Sequence, residues 1–261
     1  MFSTAKKIIF LLLALGLSVL LNAQSYKVKT VVIDPGHGGY DPGALGKYSK
    51  EKDITLAIAL KVGYYIKRCC PDVKVIYTRT TDVFVPLYKR AEIANKAGAD
   101  LFISIHANSS KNKHAYGAST YVMGLHKDQD NLYVAMTENK AILLEKNYKQ
   151  NYDNFDFTSP EAYIIFSLYQ NAYLDLSLQF AQLVQAQFRD RARRKDLGVH
   201  QAGFVVLWRT TMPSVLIEVG YISNPAEERF LNSQYGQDII ASAIYRAFKQ
   251  YKFKFEKNDK H

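Results

Sequence analysis

Two histidines each follow an apolar, β-branched run at the point where small residues begin. His37 comes after "VVIDPG" and is followed by two glycines, and His106 comes after "LFISI" and is followed by Ala107 and Asn108. For either histidine alone, the ordinary explanation is a hydrogen-bonded turn, because Gly, Pro and Asn favour turns. If the two runs are strands of one parallel sheet, both imidazoles lie at the same edge of it, and we then expect a metal site.

Glu51 supplies a third side chain that could bind a metal. It stands where a helical pattern begins, in "SKEKDITLAIA". An acid in the first turn also stabilises a helix through its dipole, so the position alone has an ordinary explanation. Two histidines and a glutamate with a fourth position open are, however, the ligand set of a catalytic zinc ion rather than a structural one.

Glu218 interrupts an apolar run, "PSVLIEVGYISNP". A carboxylate in such a strand is costly unless it is paired or used, and the alternative is an edge strand that turns the carboxylate to solvent. Beside a zinc site, Glu218 has a chemical purpose, because hydrolysis needs a general base and acid. The residues alone therefore favour a metallohydrolase.

The elements that must position these side chains alternate along the first half of the chain. We predict strands from "KVKTVVIDPG", "VKVIYTR" and "DLFISIHAN", separated by helices from "EKDITLAIALKVGYYIKRCC" and "PLYKRAEIANKAGA". This alternation predicts a parallel sheet with helices on its faces and functional residues at the carboxyl ends of the strands.

The second half adds a long helical region before the sheet pattern returns. "GASTYVMG" predicts a strand, residues 130–195 are mainly helical with an interruption at "NYDNFDFTSP", and "AGFVVLW" and "SVLIEVGYIS" predict two more strands before a closing helix, "GQDIIASAIYRAFKQY". We predict one α/β domain over residues 24–261, with a helical insertion at 127–202. The apolar stretch 161–188 favours a core helix, with an exposed docking face as the alternative.

Residues 1–23 have the pattern of a secretory signal peptide: Lys6 and Lys7, an apolar run from Ile8 to Leu21, and Ala23. The run is shorter than the ~20 residues that a spanning helix needs, so we expect no permanent membrane anchor. We predict an exported, periplasmic protein. The net charge of +10 then favours a polyanionic envelope polymer over nucleic acid. Cys69 and Cys70 are adjacent and provide no disulfide framework.

Five motifs, in order and spacing, resemble the zinc-dependent N-acetylmuramoyl-L-alanine amidases of bacterial cell walls. They are "VVIDPGHGGYDPGALG", "EKDITLAIA", "TRTTDVFVPLYKRAEIAN", "SIHAN" and "VLIEVGYISNPAEERFL", and the resemblance runs from about residue 27 to 251. It implies a mixed, mostly parallel six-stranded sheet flanked by helices, with Zn²⁺ as cofactor. It also implies peptidoglycan as substrate, cleaved at the amide between N-acetylmuramic acid and the L-alanine of the stem peptide.

The resemblance also assigns roles by position. His37, Glu51 and His106 match the zinc ligands of the family, and Glu218 matches its catalytic acid and base. All four residue types are present, as an active enzyme requires. We interpret His114, His126 and His200 as structural or surface residues.

The insertion resembles the longer type of these amidases, which is associated with daughter-cell separation. In that type, helices block the groove until a protein activator moves them, and a glutamate fills the fourth zinc position. Glu138 stands where the long type often has an acid before Asn, with Glu145 as the alternative. A solvated helix charge is the ordinary explanation for Glu138. The resemblance thus implies autoinhibition and an activator that docks on the insertion.

Two other functions are compatible with these residues. One is a different zinc metallopeptidase or deacetylase of the envelope, which would share the ligand set and differ in its groove. The other is a non-catalytic wall-binding module, although such proteins usually lose a ligand or the catalytic acid, and here none is missing.

Overall fold

A computed structural model describes residues 27–152 and 173–257. The predicted signal peptide, residues 153–160 of the interruption and residues 161–172 of the apolar stretch lie outside the described residues. In the part of the chain that is described, no helix combines the length and the apolar character needed to cross a membrane.

Six strands form one sheet in the order β2-β1-β3-β6-β4-β5. All neighbouring pairs are parallel except β4 and β6, which are antiparallel. The predicted mixed, mostly parallel α/β sheet is thus confirmed. The central strands have few exposed residues because helices cover both faces, which is why they read as continuous apolar runs. The strands are β1 (Thr30–Pro35), β2 (Lys74–Tyr77), β3 (Leu101–Asn108), β4 (Ala118–Met123), β5 (Asp196–Ala202) and β6 (Ser214–Tyr221).

The helices divide between the two faces of the sheet. Ile103 of β3 packs in a core with Ile58, Phe180 and Ile244 on one face. On the other face, the next side chain of β3, Phe102, belongs to a second core. The helices are α1 (Glu51–Cys69), α2 (Leu87–Lys96), α3 (Gln129–Asn139), α4 (Tyr148–Asn151), α5 (Leu174–Asp190), α6 (Val205–Trp208), α7 (Pro225–Asn232) and α8 (Gln234–Lys257), with a 3₁₀ helix at Lys140–Leu144.

The prediction of a strand at "AGFVVLW" is wrong. Only Ala202 belongs to a strand, as the last residue of β5, and Val205–Trp208 is a short helix. β5 is an edge strand that pairs with β4 alone and is mostly half-buried, so its sequence, "DLGVHQA", has no apolar run. The apolar residues that follow are buried in the second core instead. β5 also lies within the range predicted for the insertion, 127–202.

Helix α5 is the described part of the apolar stretch 161–188, and it packs in the core. Phe180, Val184 and Phe188 are fully buried, and all three face the sheet side that also carries α1 and α8. Their spacing of four residues places them on one helix face. The core interpretation is therefore confirmed for residues 174–188.

Candidate metal centre

Four buried side chains converge at the carboxyl ends of β1 and β3. They are His37, Glu51, His106 and Glu138, and their ligand atoms all lie within 4.8 Å of one another. His37 follows β1, Glu51 is the first residue of α1, and His106 belongs to β3. The structure thus brings together the three side chains predicted as metal ligands and adds Glu138 from α3.

The distances within this cluster fit a shared cation. Glu138 Oε2 lies 3.1 Å from His37 Nε2 and 2.9 Å from His106 Nδ1. Glu51 Oε2 lies 3.1 Å from His37 Nε2, and Glu51 Oε1 lies 3.1 Å from His106 Nδ1. Ligand atoms about 2.0–2.1 Å from one tetrahedral zinc ion stand about 3.3 Å apart. The four side chains are therefore close enough to share one metal ion.

Two of the four ligand atoms have no hydrogen-bond partner. His37 Nε2 and Glu138 Oε2 are buried and 3.1 Å apart, yet neither atom makes a bond of acceptable geometry with any described residue. Buried polar atoms are normally paired, so such atoms need an explanation. His106 Nδ1, in contrast, shares a hydrogen bond of 3.1 Å with Glu51 Oε1. A ring nitrogen and a carboxylate oxygen that face each other without a hydrogen bond suit a divalent cation between them.

Glu138 is not a solvated helix charge, because only 9% of its surface is exposed. The alternative, Glu145, lies elsewhere. Its Oε1 accepts hydrogen bonds from the backbone N–H of Leu87 at 2.7 Å and from the hydroxyl of Tyr152 at 2.8 Å. Glu145 therefore holds the insertion against the start of α2, and of these two glutamates it is Glu138 that reaches the cluster.

His37 is fixed by its own loop. Its φ of 59° is unusual for a residue other than glycine. Its Nδ1 shares a hydrogen bond of 2.9 Å with Asp41, which leaves Nε2 directed at the cluster. Asp41 is held in turn by the N–H of Gly43 at 3.1 Å. A carboxylate bound to the second ring nitrogen orients a metal-binding histidine and makes it more basic.

A buried ion pair between Asp34 and Arg90 also stabilises this loop. The Arg90 guanidinium donates to Asp34 Oδ1 and to the backbone oxygens of Pro35 and His37, each at 2.8 Å. Ser104 donates to the other oxygen of Asp34 at 2.7 Å. Sequence reasoning missed Asp34, Asp41 and Arg90. The signal for Asp34 was available, because Asp34 interrupts an apolar strand just as Glu218 does.

The small residues of the loop make room for the cluster. A Cβ on Gly36 would lie 2.5 Å from the ring of His106. A Cβ on Gly43, whose φ is +65°, would lie 2.6 Å from both Glu51 Oε2 and the His37 ring. Side chains at these positions would displace the candidate ligands, which explains why glycine occupies both.

The carboxylates of the cluster favour positive charge at this position, as the pKa values of the two histidines show. Burial lowers the pKa of His106, but Glu138 and Glu51 more than offset this and raise it to about 10. The pKa of His37 is also raised well above its usual range, since Glu51, Asp41 and Glu138 outweigh its burial. The carboxyl of Glu51 has its pKa lowered, because the two imidazoles outweigh its burial.

Glu218 lies next to the cluster in the sheet, where it pairs in register with His106. Only 1% of its surface is exposed, and neither carboxylate oxygen has a hydrogen-bond partner among the described residues. Burial, with the nearby charge of Glu138, raises its pKa well above the usual range. The alternative of a solvent-facing edge carboxylate is therefore wrong, because Glu218 is a buried carboxyl on the strand beside His106.

The three other histidines in the described part of the chain lie outside the cluster. His114 is exposed and His126 half-buried. His200 packs against Tyr121 and its Nε2 lies 2.8 Å from the backbone oxygen of Leu197.

Comparison with known proteins agrees with this geometry. The Amidase_3 family, described as N-acetylmuramoyl-L-alanine amidase, matches residues 31–250. The chain is 35% identical to N-acetylmuramoyl-L-alanine amidase AmiA of Escherichia coli K12 over 236 residues, which are 89% of this chain and 79% of AmiA.

Solved structures give the same result. The catalytic domain of CwlV, an amidase from Bacillus (Paenibacillus) polymyxa, superposes with a TM-score of 0.63 at 31% identity, covering 85% of this chain and 97% of CwlV. The CwlD amidase of Clostridioides difficile, solved in complex with the GerS lipoprotein, gives 0.62 at 27% identity, covering 85% and 98%. The fold, the matched residues and these relatives together establish that the chain belongs to the N-acetylmuramoyl-L-alanine amidase family of peptidoglycan hydrolases.

Proposed function

We propose that this amidase is zinc-dependent, with His37, Glu51 and His106 as its ligands and Glu218 as its acid and base. The observation that carries the proposal is the convergence of four buried ligand side chains, in which His37 Nε2 and Glu138 Oε2 have no hydrogen-bond partner among the described residues. Zinc held there would lower the pKa of a bound water to about 7 and polarise the carbonyl of the scissile amide.

Glu218 moves the protons of the reaction. As water attacks the lactyl carbonyl carbon, Glu218 accepts a proton from it, and it then donates a proton to the nitrogen of L-alanine as the C–N bond breaks. The products are the free lactyl acid of the glycan and a stem peptide with an amino terminus. Because Glu218 has no hydrogen-bond partner among the described residues, both of its oxygens are available for this transfer.

The insertion holds the enzyme in a resting state through Glu138. The Glu138 carboxylate occupies the position that a substrate carbonyl would need. Helix α3 runs from β5 to the metal centre: Asn131, near its start, contacts His200 of β5, and Glu138, near its end, contacts His37 and His106. A protein activator that moves α3 would expose the site.

The cellular role follows from the same features. We place the enzyme in the periplasm, delivered by the signal peptide at residues 1–23 and freed of it after export. Its resting state suits daughter-cell separation, in which wall cleavage must be confined to one place and time. The CwlD amidase, a structural neighbour, was solved in complex with a lipoprotein, which supports regulation by a partner protein here.

The test is hydrolysis of purified sacculi by the full chain, its Glu138→Ala variant and a Lys140→Ala control. Lys140 is exposed and two residues from Glu138. We expect slow release of stem peptides with free L-alanine amino termini, a faster rate for Glu138→Ala, and no change for Lys140→Ala. A chelator should stop release, added zinc should restore it, and Glu218→Gln should abolish it.

Each part of the proposal has its own contrary result. Release that persists in a chelator would contradict the metal dependence. An unchanged or lower rate for Glu138→Ala would contradict autoinhibition while leaving the hydrolytic site intact. Release by Glu218→Gln at the unaltered rate would remove Glu218 from the mechanism.

A further inference from the structure

Glu228, on helix α7, is a buried carboxylate that the proposed mechanism does not use. It is 1% exposed and belongs to the same motif as Glu218, "VLIEVGYISNPAEERFL". A carboxylate buried in this way is costly unless it is paired or hydrogen-bonded, so its partners indicate its role. Its side chain accepts four hydrogen bonds, and all four come from residues 47–49, in the loop that precedes α1.

The four bonds hold a tight turn in this loop. Glu228 Oε1 accepts from the backbone N–H of Tyr48 at 2.8 Å, from that of Ser49 at 3.0 Å and from the Ser49 hydroxyl at 2.8 Å. Oε2 accepts from the N–H of Lys47 at 3.0 Å. The turn is closed by the N–H of Gly46, which donates to the backbone oxygen of Ser49 at 3.0 Å. A Cβ on Gly46 would overlap with the Glu228 carboxylate, so the turn approaches the carboxylate as closely as only glycine allows.

The same loop holds the candidate metal ligand Glu51. The N–H of Glu51 donates to the backbone oxygen of Ala44 at 3.0 Å, and the N–H of Ala44 donates to Glu51 Oε2 at 2.8 Å. The first N–H groups of a helix need acceptors, yet Lys50, the N-cap residue of α1, makes no side-chain capping bond. The loop supplies the acceptors instead, since the N–H of Lys52 also donates to it, at the backbone oxygen of Pro42. The position of Glu51 therefore depends on the shape of this loop.

Glu228 also joins this loop to the strand that carries Glu218. Helix α7 begins shortly after β6 ends, and between them the N–H of Ile222 donates to the backbone oxygen of Asn108, the last residue of β3, at 2.8 Å. Strands β3 and β6 and the start of α7 are thus connected, and Glu228 connects the loop before Glu51 to them. All of these contacts lie outside α3, so they do not depend on whether that helix is docked or displaced.

We propose that Glu228 is a positioning residue of the metal centre, which fixes the carboxylate of Glu51 for metal binding through the turn at residues 46–49. The proposal rests on the proposed function, because it takes Glu51 to be a zinc ligand. Metal-binding carboxylates are held by hydrogen bonds from surrounding groups, and loss of such a partner typically costs about 10- to 100-fold in metal affinity. Glu228 acts on Glu51 through the turn rather than by direct contact, so we expect the lower end of this range, about tenfold.

The test measures the zinc affinity of the full chain and its variants by competition with a chelator, together with thermal unfolding of the same samples. Glu228→Ala removes all four hydrogen bonds and should weaken zinc binding about tenfold. Glu228→Gln keeps an oxygen that can accept at the Oε1 position, so it should recover part of the affinity. Gly46→Ala disturbs the turn from the loop side, with Glu228 intact, and should also weaken zinc binding. If Glu228→Ala does not fold, Glu228→Gln and Gly46→Ala decide the result.

Glu227→Ala is the matched control, because Glu227 is the preceding residue of α7, is also buried, and has different partners. Its Oε2 pairs with the Arg194 guanidinium and accepts from the N–H of Gly117 at 3.3 Å. Glu227→Ala should lower the unfolding temperature and still bind zinc like the parent chain. A loss of zinc affinity that is confined to the Glu228 and Gly46 variants separates the positioning of Glu51 from general destabilisation.

The proposal is overturned if Glu228→Ala and Gly46→Ala bind zinc as tightly as the parent chain, or if Glu227→Ala weakens zinc binding to the same extent. Failure of the proposed function looks different: the parent chain would bind no zinc, or Glu51→Ala would bind it as tightly as the parent. Either result would remove Glu51 from the metal site, and the role of Glu228 with it. Zinc binding that is weakened by Glu51→Ala and unaffected by Glu228→Ala would refute the positioning role alone.

Discussion

Replacing Asn139 with alanine tests whether the anchoring of α3 controls access to the metal centre. Asn139 is 3% exposed and follows Glu138. Its Nδ2 donates to the backbone oxygen of Gly203 at 2.8 Å, and its Oδ1 accepts from the backbone N–H of Val205 at 2.9 Å. These two bonds fix the end of α3 to Gly203 and to the first residue of α6, Val205, so Asn139→Ala loosens the helix without altering Glu138.

The size of the effect follows from those two bonds. Removing one partner of a buried hydrogen bond costs about 1–3 kcal/mol, because the group left behind is neither paired nor solvated. When α3 moves away, water reaches the freed backbone groups, so the substitution weakens the docked state alone. A change of about 1–3 kcal/mol raises the displaced population about 5- to 150-fold, and basal hydrolysis should rise by the same factor.

The assay compares initial rates of sacculus hydrolysis with thermal unfolding of the same samples. Lys140→Ala, at the exposed neighbouring position, should change neither quantity. The rate of Glu138→Ala sets the ceiling, and the double variant of Asn139 and Glu138 should not exceed it, since both substitutions act on one event. A lower unfolding temperature with an unchanged rate would refute the reasoning, because the anchor would then stabilise the fold without holding the block.

Three other predictions concern the support of the metal centre. Asp34→Asn leaves Arg90 buried without its counter-charge and should lower the free energy of unfolding by about 3–5 kcal/mol at pH 7, as measured by urea unfolding. In the parent chain, Arg90 and the hydroxyls of Thr78 and Ser104 outweigh burial and lower the pKa of Asp34. The stability that the ionised Asp34 contributes should therefore be lost as the pH falls below about 4. Asp41→Asn should weaken zinc binding about 10- to 100-fold in a chelator competition, and an unchanged affinity would mean that Asp41 does not orient the imidazole. Gly43→Ala would push against Glu51 and should reduce zinc affinity more than the Gly98→Ala control, which also has a positive φ but no atom within 4 Å of the added Cβ.

The sequence predicts the metal centre well because its parts lie at the ends of local patterns. His37 and His106 each end an apolar strand, and Glu51 begins the helix that follows the first of them. Parallel strands bring their carboxyl ends to one edge, so local pattern and general topology together place these side chains near each other. The sequence also identifies Glu218 as a candidate site residue, because a charged residue stands out inside an apolar run.

The features that the sequence does not predict depend on contacts between distant parts of the chain. The pairing of Asp34 with Arg90 joins a strand to a helix 56 residues later, and no periodicity links them. β5 is an edge strand of mostly half-buried residues, so it shows no apolar pattern, while the apolar segment after it folds as a helix. The choice between Glu138 and Glu145 likewise depends on how the insertion docks.

Helix α3 contributes to two places at once. Asp130 borders a cavity of about 510 Å³, and Glu138 reaches the metal centre about 12 Å farther along the same helix. Any molecule that binds α3 in one of its two positions more tightly than in the other shifts the helix toward the position it prefers, and the helix position changes the affinity for that molecule by the same factor. An activator that displaces α3 and a metal-bound substrate that needs it displaced therefore act on a single equilibrium, and each should strengthen the binding of the other.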